Sequence, residues 1–165
     1  MSSSKGGKTD SSIIELENDF FENHVAYSIV ALANLITQNT IKNTLAGTSL
    51  SVYEWRIMRL AFIYGQICAA DVINLFGLDK TTTSRSVSKL KSRKLVKLSL
   101  DPDDKRQTNI SLSAAGKRLH SKIIQRDQVS DESIEEIFSP RELKTIHGAM
   151  RKLRPHVKNM LSNKN

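Results

Sequence analysis

The sequence is poor in the residues on which several large protein classes depend. Cys68 is the one cysteine among 165 residues, so an intramolecular disulfide and a Cys-x-x-Cys metal pair are both excluded. We therefore expect a reducing, cytoplasmic environment. No apolar run approaches the roughly 18 residues of a membrane span, and residues 1–12 lack the apolar stretch of a signal peptide. We expect neither a membrane anchor nor a membrane partner.

Residues suited to catalysis or metal binding are equally scarce. The candidates are Cys68 and four histidines, namely His24, His120, His147 and His156. None of them shows the spacing of a catalytic motif, and no two histidines lie four residues apart on a helix, as a metal site would need. We interpret the histidines as ordinary surface residues. The sequence predicts a protein that is not an enzyme and that holds no metal and no cofactor.

The charge of the chain points to a polyanionic partner. The net charge is +8 and the isoelectric point is about 9.7, which favours nucleic acid or an anionic membrane surface. Residues 80–106 carry nine Lys or Arg side chains and three Asp, whereas acidic residues cluster over 127–136. A membrane-binding helix would need large apolar residues opposite its cations, and residues 80–94 are rich in hydroxyl groups instead. The pattern therefore favours DNA.

Helix signals dominate the order of elements. A capping box at Ser12 opens a first helix that should end near Gly47, and a second helix should run from Ser51 to Gly65. A short third helix covers about 69–76. Asp79 then resembles the N-cap of a fourth helix, whose inward stripe would be Thr83, Val87 and Leu90.

Strand signals follow this fourth helix. Residues 95–100 and 108–112 alternate like two half-buried strands around an Asp/Pro turn, which predicts a two-stranded hairpin. Ser113 should cap a long helix, and Ser139 with Pro140 should open the last one. Pro155 should kink that helix or end its regular part.

The predicted fold is mainly α with a small β-hairpin wing, a winged helix-turn-helix with N- and C-terminal dimerisation helices. We predict a disordered tail over 1–12, an N-terminal dimerisation helix over 13–48, a DNA-binding domain over 49–112 and C-terminal dimerisation helices over 113–165. The fourth helix combines small hydroxyl residues, which allow close approach to a major groove, with long cations for bases and phosphates. The candidate contacts are Thr81, Thr82, Ser84, Arg85, Ser88 and Lys89.

Residues 50–119 resemble the MarR (multiple antibiotic resistance regulator) family. The resemblance is carried by residues 50–58 (LSVYEWRIM), 71–85 (DVINLFGLDKTTTSR), 101–106 (DPDDKR) and 112–116 (LSAAG), in the order that the family has. It implies an intertwined homodimer whose recognition helices enter successive major grooves of a double-stranded, pseudo-palindromic operator. It also implies wing contacts by Lys105 and Arg106, and a carboxylate at Asp104 that ion-pairs with an Arg and orients it.

Two departures from the family pattern are visible. Thr83 stands where an apolar residue is usual, which should weaken its packing. Lys105 replaces a frequent Arg, which should lower the preference of the wing for a narrow minor groove.

The resemblance further implies a repressor that a small effector, such as an aromatic or phenolic acid, releases from DNA. The effector pocket would lie between the dimer helices and the DNA-binding lobe, and His24, Ser28, Trp55 and Arg59 come from helices that would line it. The alternative is an oxidation sensor of the same fold acting through Cys68, because a helix N-terminus lowers the pKa of a thiol.

Overall fold

The computed structural model describes residues 23–102 and 104–162. The predicted disordered tail over 1–12 and the start of the first predicted helix lie outside the described residues. The chain divides into two compact units, Met1–Val52 and Tyr53–Asn165. No helix in the described ranges is long and apolar enough to span a membrane.

The N-terminal unit is helical throughout most of its described length. Helix α1 (Val25–Asn39) continues into a π-helical turn over Thr40–Thr44, and Gly47 adopts a left-handed φ of +71° just beyond it. This end agrees with the predicted one. The large apolar side chains of α1 are mostly exposed, with exposed fractions between 47% and 68% for Val25, Tyr27, Val30, Leu32, Leu35 and Ile36.

The second unit contains the winged helix. Helix α2 (Val52–Tyr64) ends before Gly65, α3 (Ala69–Phe76) ends at Gly77, and α4 (Lys80–Ser92) begins after the N-cap Asp79. Gly65 and Gly77 both have positive φ, the left-handed conformation that glycine adopts without steric cost. These three helices share one core with the sheet and with a later helix, and its fully buried apolar side chains are Ile57, Met58, Val72, Leu90, Ile110 and Ile123.

The sheet has one strand more than the sequence predicts. Strands β2 (Val96–Leu100) and β3 (Thr108–Leu112) form the expected antiparallel hairpin, and β1 (Ile67–Cys68) pairs with the other edge of β3. The order is β1-β3-β2. A strand of two residues is too short to show an alternating pattern, so the prediction of a two-stranded hairpin was incomplete.

Two long helices complete the unit. Helix α5 (Ala114–Glu135) begins at Ser113, whose hydroxyl accepts a hydrogen bond from the amide of Gly116. Helix α6 (Pro140–Ser162) begins at the predicted Ser139 and Pro140, and the Glu142 carboxylate accepts the amide of Ser139 at 2.8 Å. It continues through Pro155, so its regular part does not end there. The predicted mainly α fold with a wing is confirmed.

Candidate nucleic-acid interface

The start of α4 is held by a dense set of hydrogen bonds to Asp79. One carboxylate oxygen accepts the Thr82 amide at 2.7 Å and the other accepts the Thr82 hydroxyl at 2.6 Å. These bonds lower the pKa of Asp79 below its usual value, the hydroxyl bond having the largest effect. The hydroxyl proton of Thr82 is thus used inside the protein, and only its oxygen lone pairs remain for a partner.

The inner face of α4 is partly built from hydroxyl residues. Thr83, Ser86 and Leu90 are buried, and Val87 is half-buried. The Thr83 hydroxyl donates to the Asp79 carbonyl at 3.0 Å and the Ser86 hydroxyl donates to the Thr82 carbonyl at 2.9 Å. Bonds to the preceding turn satisfy these groups without a tertiary partner. The predicted inward stripe did not include Ser86, because a serine is not expected among the apolar residues of a buried helix face.

The outer face of α4 carries the remaining predicted contact residues. Thr81, Ser84, Arg85, Ser88 and Lys89 are all exposed. Residues 81, 84, 85 and 88 share one helical face by their spacing. No side-chain hydrogen bond or ion pair engages Arg85 or Lys89 within the described residues, so both cations are available to an outside partner.

The far end of α4 is tied to two other helices. The Arg93 guanidinium lies 3.9 Å from the carboxylate of buried Glu54 on α2. The Ser113 hydroxyl donates to the Lys94 carbonyl at 2.7 Å, and the Ser113 amide donates to the Leu95 carbonyl at 3.0 Å. The end of α4 and the residues that follow it are therefore held by both α2 and the N-cap of α5.

The wing turn is organised by Asp101 as well as by the predicted Asp104. Asp101 accepts the amide of Asp104 at 2.9 Å and the side-chain amide of buried Asn109 at 2.8 Å. Asp104 makes no ion pair within the described residues. Its carboxylate instead accepts the backbone amide of Arg106 at 3.0 Å. The predicted carboxylate–guanidinium pair is thus replaced by a carboxylate–backbone bond, and the side chains of Lys105 and Arg106 are exposed.

The four predicted effector residues are divided between the two units. In the N-terminal unit the Ser28 hydroxyl donates to the His24 carbonyl at 2.8 Å, and the His24 ring meets Tyr27 edge-on at 6.4 Å. In the second unit Trp55 and Arg59 converge on α5. The Trp55 indole donates to Asp127 at 3.0 Å, and Arg59 Nε lies 3.0 Å from the other oxygen of the same carboxylate.

A second carboxylate extends this cluster. Arg59 Nη2 lies 3.6 Å from Asp131. Burial raises the pKa of Asp131, and the neighbouring Asp127 carboxylate raises it further. Because Arg59 already pairs with two carboxylates, they would compete with an anionic effector for its guanidinium.

His120 corrects the interpretation of the histidines as surface residues. His147 and His156 are exposed as predicted, but His120 is only 1% exposed. Its ring is stacked between Phe62, with centroids 3.9 Å apart, and Trp55, with centroids 5.2 Å apart. Neither ring nitrogen has a hydrogen-bond partner in the described part of the chain. Nothing in the spacing of the sequence singled this residue out.

A cavity of about 380 Å³ lies elsewhere in the second unit. None of the four predicted effector residues lines it. Its polar walls include Gln66, Asp71 and Arg154, and the Arg154 guanidinium donates to the carbonyls of Asn74 and Leu75 at the end of α3. The volume falls within the range of small-ligand sites.

Neither a family model nor a curated protein matches the chain. Solved structures do match. A MarR/EmrR-family transcriptional regulator from Acinetobacter sp. ADP1 has a TM-score of 0.76 and 24% identity, covering 84% of this chain and 97% of that chain. CouR from Rhodococcus jostii RHA1, bound to p-coumaroyl-CoA, has a TM-score of 0.72 and 20% identity, covering 81% and 93%. A mutant MarR from E. coli, complexed with operator DNA, has a TM-score of 0.66 and 16% identity, covering 81% and 96%.

The chain has the winged-helix fold of the MarR family. The likeness covers about four fifths of the chain and nearly the whole of each matched structure, so the MarR fold extends to the flanking helices as well as the winged helix. The recognition-helix and wing assignments, by contrast, rest on the exposed faces described above.

Proposed function

We propose that this chain is a non-enzymatic, DNA-binding transcriptional regulator of the MarR type. The observation that carries the proposal is the outer face of α4, where Arg85 and Lys89 are exposed without internal partners beside three small hydroxyl residues. Such a face combines close approach to a major groove with cations for base edges and phosphates. The exposed wing cations Lys105 and Arg106 would contact the flanking backbone or minor groove.

The protein acts as a homodimer in this proposal. Helix α6 buries no side chain, and Met150, Val157, Met160 and Leu161 are between 45% and 69% exposed. The apolar face of α1 is similarly open. Exposed apolar faces of this extent are typical of association surfaces. A two-fold dimer would present two recognition helices to half-sites about one helical turn apart, which suits a pseudo-palindromic operator.

Repression and its release by a small effector complete the proposal. The matched CouR structure contains p-coumaroyl-CoA, the thioester of an aromatic acid. This supports aromatic acids or their thioesters as the first effectors to test. The effector must bind the DNA-incompetent arrangement more tightly than the competent one, since otherwise no population shifts.

Oxidation of Cys68 is the alternative route of release. Cys68 is 7% exposed and its amide donates to Asp71 at the start of α3. Such burial disfavours a sensor thiol, because oxidants reach exposed thiolates first. The alternative predicts that peroxide releases the operator from the wild type but not from Cys68→Ser.

The decisive experiment selects DNA from a random pool with the wild-type protein and sequences it. We expect a palindromic motif, and failure to select any motif contradicts the proposal. Arg85→Ala should then lower affinity for that motif by about 1–3 kcal/mol and relax its base preference. Lys105→Ala should weaken specific and scrambled DNA alike and reduce the salt slope by about one unit. Arg141→Ala, an equal charge change at an exposed site on α6, is the matched control.

A further inference from the structure

His120 occupies an unusual position for a titratable group. It projects from α5 into the space between α5 and α2, where Phe62 and Trp55 enclose its ring on both sides. The ring is 1% exposed, and neither nitrogen is hydrogen-bonded within the described residues. Buried polar groups without partners are rare in folded proteins, and leaving one so is destabilising. The His120 imidazole therefore lacks, between the two aromatic rings, the hydrogen bonds that it would form with water.

Protonation would make this position considerably less favourable. A charged imidazolium would have two donors and nothing among the described residues to accept them. The charged groups that act on it are Arg59 from α2 and Asp127 from its own helix. Burial lowers the pKa of His120, the Arg59 guanidinium lowers it further, and Asp127 opposes both effects. The Asp127 carboxylate is already shared by the Trp55 indole and Arg59.

The two helices that enclose His120 are the same two that position the recognition helix. Helix α2 reaches the end of α4 through the Glu54–Arg93 ion pair. The N-cap of α5 holds the residues just after α4 through the bonds of Ser113 to the carbonyls of Lys94 and Leu95. The two helices that pack at His120 are therefore both in contact with the C-terminal end of α4 or the residues that follow it.

We propose that His120 is a proton-sensitive joint between α2 and α5, which holds the recognition helix in its DNA-binding position while neutral and releases it when protonated. This inference rests on the proposed DNA-binding function. The proton acts as an effector that binds preferentially to the loosened arrangement, so acidification and operator oppose each other by linkage.

The direction of the pH effect follows from the sign of the shift. The pKa of His120 is lower in the packed state than its ordinary value of 6.5. The packed arrangement of His120 is therefore fully favoured at a pH above the ordinary histidine pKa, and this stability is progressively lost as the pH falls below that value. The raised pKa of Asp131 acts in the opposite direction. A window from about pH 5.5 to about pH 8 brackets the ordinary histidine value, and the comparison of wild type with His120→Phe separates His120 from Asp131 and from the other histidines.

The experiment measures operator affinity by fluorescence anisotropy across this window at constant ionic strength, using the motif selected by the wild type. We expect wild-type affinity to fall with acidification by up to roughly tenfold per pH unit for each protomer. His120→Phe keeps an aromatic ring in the stack and removes the titration, so its profile should be flat by comparison. His147→Gln, which changes an exposed histidine on α6, should follow the wild type.

A second measurement does not depend on any variant folding. An NMR titration of the wild type should show the His120 ring titrating below the ordinary histidine pKa of 6.5. Parallel affinity profiles for wild type and His120→Phe, or a His120 pKa at or above 6.5, would overturn the proposal. If no DNA is bound at any pH, the proposed function fails. The pH dependence of urea unfolding in the same variants then decides whether His120 is a proton-sensitive joint.

Discussion

Gly116 marks a close approach of α5 to Leu95, in the segment between α4 and β2. A Cβ atom at this position would lie 2.0 Å from the Leu95 carbonyl oxygen and 3.0 Å from its carbonyl carbon. Real Cβ atoms essentially never come within 3.0 Å of such an atom, so Gly116→Ala requires α5 and Leu95 to move apart by about 1 Å or more. The carbonyl cannot turn aside freely, because it accepts the Ser113 amide at 3.0 Å.

The expected energy follows from two opposing effects. Overpacking of this kind typically costs about 1–3 kcal/mol, and more when a backbone group must move. Alanine regains about 1 kcal/mol over glycine inside a helix. Because the obstacle here is backbone, we expect the steric cost to dominate and the free energy of unfolding to fall by about 2 kcal/mol. Separation of α5 from Leu95 should also lower operator affinity.

Gly148 on α6 is the matched control. A Cβ at Gly148 would meet no atom within 4 Å, and its φ is not positive. Gly148→Ala should therefore gain up to about 1 kcal/mol from helix propensity alone. Both variants are compared by urea unfolding at one fixed protein concentration, since dimer stability depends on concentration. Should Gly116→Ala prove as stable as Gly148→Ala, the close approach of α5 to Leu95 is refuted.

Three further predictions test other parts of the structure. Leu90→Ala should lower the unfolding free energy by about 2–5 kcal/mol, because this fully buried side chain anchors α4; a loss under about 1 kcal/mol in urea unfolding would contradict that burial. Glu54→Gln should weaken operator binding by loosening the Arg93 end of α4, whereas unchanged affinity in anisotropy titrations would separate that ion pair from DNA binding. Sedimentation equilibrium should show a dimer at micromolar concentration, and a folded monomer would contradict the role given to the exposed face of α6.

Local sequence patterns determined most of the secondary structure. Capping residues and glycines act within one helical turn, so the ends of α3 and α4 at Gly77 and Asp79 could be predicted from residue type alone. The hairpin strands also alternate over enough residues to be seen. The outer face of α4 was predictable for the same reason, because helical spacing fixes which residues share a face. Local patterns did not predict that α6 continues through Pro155 or that strand β1 joins the sheet.

Tertiary structure alone decided which groups meet across elements. Trp55 and Asp127 are 72 residues apart, and no local rule relates a tryptophan to a carboxylate at that separation. Burial of His120 likewise depends on Phe62 and Trp55 arriving from another helix. The need for glycine at position 116 arises from the Leu95 carbonyl, which lies beneath it only after the chain has folded back. Secondary structure follows from local chemistry, whereas these contacts follow from packing, which depends on all the elements at once.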